Sequence, residues 1–147
     1  MEDFSNVLKE VGVKPSIGAS QNELRHYSEE LSRLGALWLK KTVEQEFPDL
    51  HILPPEGKVD TIYGVGNRGK SLDVAGKSEN GYLAIDFSIK TFNFKDRRTN
   101  NYRKNYTGRF YELLGEELDI RRSYEFAILV ALVLLPADSV EDSNPSS

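Results

Sequence analysis

The chain contains no cysteine. Disulfides, thiolate zinc sites and a cysteine nucleophile are excluded by that absence, and a reducing interior is the compartment that fits it. Histidine is scarce: His26 and His51 stand far apart, match no metal-ligand spacing, and read as surface or helix residues. Long apolar runs are missing too. The longest, FAILVALVLLP, stops at Pro136, about half the ~20 residues of a membrane-spanning helix, and reads as a buried element. The N-terminal MEDFSNVLKEVGVKPS lacks the basic-then-apolar order of a secretion signal, so the expected location is cytoplasmic.

The chain is otherwise an ordinary soluble mixture: 147 residues, 39% apolar and 29% charged, enough for one domain with a real core. The net charge of -4 argues against a general nucleic-acid coat protein, but the charge is unevenly placed. Residues 87–109 hold Lys90, Lys95, Arg97, Arg98, Arg103, Lys104 and Arg109 against Asp96 alone, net +6, which leaves -10 on the rest. Phe92, Phe94, Tyr102 and Tyr106 are interleaved with these cations. Such a mixture suits phosphate contact with some base stacking, although a solvated basic loop explains it equally well when the segment is taken alone.

Periodicity sets the order of elements. A short amphipathic segment over residues 2–11 is followed by the connector KPSIGASQN, with Ser20 or Asn22 as a helix cap. Leu24, Tyr27, Leu31, Leu34 and Trp38 recur at three- and four-residue spacing, which predicts one long helix from Glu23 to Phe47, ended by Pro48. Tyr27 and Trp38 belong to its core face. Three apolar runs come next, VDTIYGV, SLDVAGKS and GYLAIDFSIKTF, separated by the turn sequences GNRGK and SENG, and predict a meander of two hairpins. A second helix spans roughly 100–120. YEFAILVALVLLP then has the profile of a strand buried on both faces. The chain divides into an N-terminal extension (1–21), one domain (22–136) and a mobile tail (137–147).

The predicted fold class is therefore α/β, in the sense of an α+β mixed sheet with flanking helices. Within the third run, strand alternation places Asp86, Ser88 and Lys90 on one face and Ile85, Phe87 and Ile89 on the other. A hairpin through KSENG brings Asp73 beside the polar set. Charged groups on a sheet face are costly if buried and unpaired, so they line a cleft, bind a metal or pair with each other. An ordinary cross-strand Asp73–Lys90 pair is worth at most about 1 kcal/mol. GVGNRGKS also matches the expression of a phosphate-binding P-loop, Gly64 and Gly69 framing the motif before Lys70 and Ser71, but the residues after Ser71 read as a strand where that motif needs a helix.

An α-β-β-β-α-β order with Asp73 on one strand and SIK at the end of the next resembles the restriction-endonuclease-like PD-(D/E)xK nuclease superfamily over residues 22–136. The resemblance implies an αβββαβ core and Mg²⁺-dependent endonucleolytic hydrolysis of DNA, with Mn²⁺ able to substitute, in a homodimer of restriction or mobile-element type. It assigns Asp73 as the first acid and Lys90 as the lysine. The middle acid of the motif is replaced by Ser88, and Leu72 stands where a proline is usual. Asp86, two residues earlier on the same face, or Glu30 or Glu44 from the first helix, are the candidate replacements, with the Ile89 carbonyl as a further metal ligand. Lys95, Arg97, Arg98, Arg103, Lys104 and Arg109 would hold the polyanion. The alternative is a nucleic-acid-binding or structural protein on the same fold whose site has decayed at Ser88.

Overall fold

The computed structural model describes residues 3–16, 18–53, 61–65 and 68–141, with the backbone alone at 61–65, 68–71, 103–105 and 141. Helix α1 covers Ser5–Val11 and helix α2 Gln21–Glu46. Ser20 starts α2 through a reciprocal capping box: its Oγ accepts from Glu23 N at 3.2 Å, and the Glu23 carboxylate accepts from Ser20 N at 2.8 Å. Val7 of α1 packs with Leu31 and Leu34, and Phe4 meets Trp38 edge-on at 5.0 Å. The N-terminal segment is thus packed onto α2.

Strand β1 (His51–Leu53) comes next, then β2 (Thr61–Val65), β3 (Arg68–Leu72), β4 (Val74–Lys77) and β5 (Leu83–Thr91). Helix α3 (Arg103–Ser123) and strand β6 (Ile128–Leu134) complete the core, and Ala137–Glu141 form a 3-10 turn within the segment expected to be mobile. The main sheet has the order β1-β4-β5-β6. β1, β4 and β5 pair antiparallel, while β6 joins β5 in parallel, so the sheet is mixed. Ser78 N donates to Tyr82 O at the β4–β5 turn, where Gly81 takes a φ of 78° that favours glycine.

Two expectations need correction. The meander is broken: among the described residues β2 pairs with β3 alone, in a separate two-stranded sheet, and the SLDVAGKS run divides at a bend on Asp73. The place beside β4 goes instead to β1, whose Ile52 faces Gly76. A Cβ on Gly76 would fall 2.7 Å from Ile85 Cγ2 and 3.3 Å from Ile52 Cδ1, so this row of three strands closes only around a glycine. Second, β6 is an edge strand, and its side chains are half-buried or exposed along its length rather than covered on both faces. The P-loop expression lies on the β2–β3 hairpin, and, as the residues after Ser71 indicated, the element that follows is strand β4 and no helix.

The helices cover opposite faces of the main sheet. Ala36, Leu39 and Val43 of α2 pack with Ile52, Val74, Phe87 and Ile89. On the other face Ile120 of α3, fully buried, packs with Leu72, Ala75, Leu83 and Leu129. Burying each of the larger of these side chains, the Val, Leu, Ile and Phe, contributes about 1.5–3 kcal/mol. Among the described residues no helix is long and apolar enough to cross a membrane.

Candidate functional site

The polar set of β5 lies on the face covered by α3. Register pairs Asp86 with Ala75 on one side and Leu129 on the other, both from the cluster that α3 covers, and Ser88 and Lys90 follow at two-residue steps on the same face. Val74 faces Phe87 across the β4–β5 ladder, so the next closely bonded pair in line is Leu72 with Ile89. The chain bends at Asp73 before that pair forms. Asp73 Oδ2 accepts the Ile89 N–H instead, at 2.6 Å. The Ile89 carbonyl lies on the same side of β5 as its N–H, so it opens toward Asp73 as well.

Glu116 completes the cluster from α3. Its Oε2 accepts from Ser88 Oγ at 2.7 Å and its Oε1 from Lys90 Nζ at 2.9 Å. The Lys90 and Glu116 side chains are only 15% and 17% exposed, so this pair is shielded from solvent to a degree that surface pairs are not. Sequence patterning alone did not single out Glu116. A signal existed: Leu113, Glu116 and Ile120 share one helical face, and Glu116 is its charged member.

The other candidates are distributed differently. Asp86 is buried, 2% exposed, between its ladder partners Ala75 and Leu129. Glu30 and Glu44 are not brought to Asp73: α2 lies on the opposite face, and they pair along it with Arg33 at 2.6 Å and Lys40 at 2.8 Å. The hydrogen bond from Arg33 holds the Glu30 carboxyl below its ordinary pKa. In the basic segment, Arg97 donates to the Ala19 carbonyl at 2.7 Å and Arg109 pairs with Glu112 at 2.7 Å. Lys95 sits 5.4 Å from the Tyr102 ring centre and 3.9 Å from Asp138. Arg98 is exposed, and the side chains of Arg103 and Lys104 lie outside the described residues. His26 is on α2 and His51 begins β1.

A polar cavity of about 440 Å³ opens between the end of β5 and the first turns of α3. Thr91, Phe92, Asn93 and Phe94 form one wall; Gly108, Arg109 and Glu112 form the other, with Ser28 between. Thr91 adjoins Lys90, and Glu112 is one helical turn before Glu116. Asp73, Ser88, Lys90 and Glu116 are not among the residues that line it.

The donor set is made of hard oxygen ligands, the kind that suits Mg²⁺. Among the described residues no three acidic or histidine side chains gather as a metal-holding group. Mg²⁺ does not require three, since it keeps several waters and is commonly held through one or two carboxylates. Asp73 and the Ile89 carbonyl fit that role. No family model, curated protein or solved structure matches the chain.

Proposed function

We propose that this protein is a metal-dependent endonuclease that hydrolyses DNA phosphodiester bonds, built on a restriction-endonuclease-like core. The observation that carries the reading is Glu116: a carboxylate from α3 stands against Ser88, the position where the resembled motif has an acid, and at the same time holds Lys90. Asp73 and the Ile89 carbonyl would hold Mg²⁺, which supplies charge neutralisation at phosphate and an acidified water.

The chain's own residues divide the remaining work. Lys90, fixed by Glu116, presents its ammonium to the charge that grows on phosphorus-bound oxygens as water attacks and the P–O bond breaks. Ser88 fixes the second oxygen of Glu116 and thereby the direction of the pair. The cavity by Thr91 and Arg109 receives the sugar-phosphate backbone. A decayed, purely binding protein is the alternative, favoured by one observation: the Asp73 carboxylate already completes the β-ladder through Ile89 N–H, which is a structural use.

Incubation with supercoiled DNA separates the two. Cutting in Mg²⁺ or Mn²⁺, abolished by chelator and by Asp73→Asn or Glu116→Gln, is expected of the nuclease. Full cutting by either variant overturns the site assignment. DNA binding without cutting, weakening steeply as salt rises, overturns the enzyme and leaves the binding protein.

A further inference from the structure

We infer that β6 is an interface for a second copy of this chain, the two edge strands pairing antiparallel about a two-fold axis through Ala131 to form one continuous eight-stranded sheet. Phe92 N donates to Leu134 O at 3.0 Å, so Leu134 turns its main chain toward β5. Alternation then turns the main-chain groups of Leu129, Ala131 and Val133 outward from the sheet edge. These three positions are symmetric about Ala131. An antiparallel copy pairs Leu129 with the copy's Val133, Ala131 with itself, and Val133 with Leu129, using every outward group of the set.

Side chains agree with the main chain. β6 is ILVALVL, with no charge, proline or glycine, whereas exposed edges are ordinarily blunted by lysine, proline or a bulge. Identical strands meeting in this register oppose only apolar groups. Ala131, the smallest residue of the strand and exposed, falls on the axis where a side chain must meet its own copy. Phe126 and Ile128, at the start of the strand, are 89% and 61% exposed.

Helix α3 carries exposed apolar residues of its own. Phe110, Leu114 and Leu118 lie at four-residue spacing and are 54%, 39% and 58% exposed. On and beside the strand itself, Phe126, Ile128 and Val133, 89%, 61% and 37% exposed, supply apolar surface toward the roughly 800 Å² that each partner contributes to a standard interface. The inference is independent of whether the protein cuts DNA.

Sedimentation across a concentration series is expected to show twice the chain mass. Ala131→Pro removes one outward N–H, a change that an edge strand tolerates, and should raise the dimer dissociation constant at least tenfold with unchanged circular dichroism. Because the chain has no cysteine, Ala131→Cys reports directly: two copies of position 131 about 5.5 Å apart are within disulfide reach and should cross-link on oxidation. Glu29→Cys on α2 should not. The cross-link decides the matter even where Ala131→Pro fails to fold. A monomer at all concentrations, or an assembly without the 131–131 cross-link, overturns the inference.

Discussion

Ser88 Oγ and Glu116 Oε2, 28 residues apart in sequence and on different elements, are 2.7 Å from each other, while Oε1 of the same carboxylate holds Lys90. Three residues thus form one unit, and its members should not be equivalent. Ser88→Ala removes one neutral donor and leaves the ion pair, so a loss of about 1 kcal/mol in stability is expected. Glu116→Ala leaves Lys90 shielded without this carboxylate and should cost roughly 1–3 kcal/mol. If the cluster is catalytic, cleavage falls about tenfold in Ser88→Ala and a hundredfold or more in Glu116→Ala. Denaturant melts beside plasmid-cutting rates measure both orders; equal effects of the two substitutions would sink the idea of a hierarchy.

Asp73 has a separable structural duty. Its carboxylate occupies the position that the Leu72 carbonyl would take had the ladder continued, so Asp73→Ala strands the Ile89 N–H and should destabilise by about 1–3 kcal/mol. Asp73→Asn retains an acceptor oxygen and loses the charge. Its expected melt lies within about 1 kcal/mol of wild type, with metal-dependent cutting abolished. A destabilised Asn variant, measured by chemical denaturation, would show that the charge itself is needed for the fold.

The long helix was legible in the sequence because Leu31, Leu34 and Leu39 repeat on one face and Ser20 with Glu23 marks its start. The two faces of β5 were legible from alternation alone, since LAIDFSIKT can bury Ile85, Phe87 and Ile89 only by presenting Asp86, Ser88 and Lys90 to the other side. The division at Asp73 was not, because SLDVAGK is one unbroken apolar-alternating run and only tertiary pairing separates Leu72 from Val74. β1, three residues long, is below what periodicity detects. Glu116 was hidden among Glu112, Glu117 and Asp119, neighbours of identical chemistry, until the helical phase singled it out. β6 was misplaced for another reason: an apolar run reads alike whether its chain covers both sides or leaves an edge bare.

Two glycines should answer alanine in opposite directions. At Gly76 the added methyl meets the stiff, β-branched Ile85 at 2.7 Å with Ile52 and Leu50 at 3.3 Å, so Gly76→Ala should destabilise by about 1–3 kcal/mol. At Gly115, within α3, an added Cβ meets nothing within 4 Å, and the substitution removes backbone entropy from the unfolded chain. Gly115→Ala should stabilise by about 0.5–1 kcal/mol. Urea midpoints of the pair test this, and a destabilising Gly115→Ala would mean that its position is covered in solution.

The start of α2 should be sensitive to acid through Glu23. Hydrogen bonds from the Ser20 hydroxyl first, and from the Ser20 backbone N–H second, lower the Glu23 pKa from its ordinary value. A carboxyl whose folded pKa is depressed contributes stability that is fully present above the unfolded value and is lost as pH falls through the folded one. Glu23→Gln keeps the shape but has no proton to take up, so the wild type should melt higher at neutral pH and the difference should shrink below about pH 4. Ser20→Ala removes both side-chain partners at once and should lower the melting temperature by about 2–5 °C at neutral pH. Thermal melts of wild type and Glu23→Gln between neutrality and acid check the sign. A gap that widens on acidification would mean that the Glu23 carboxyl is held protonated in the native state, and the capping box would not be the bond pattern that starts this helix.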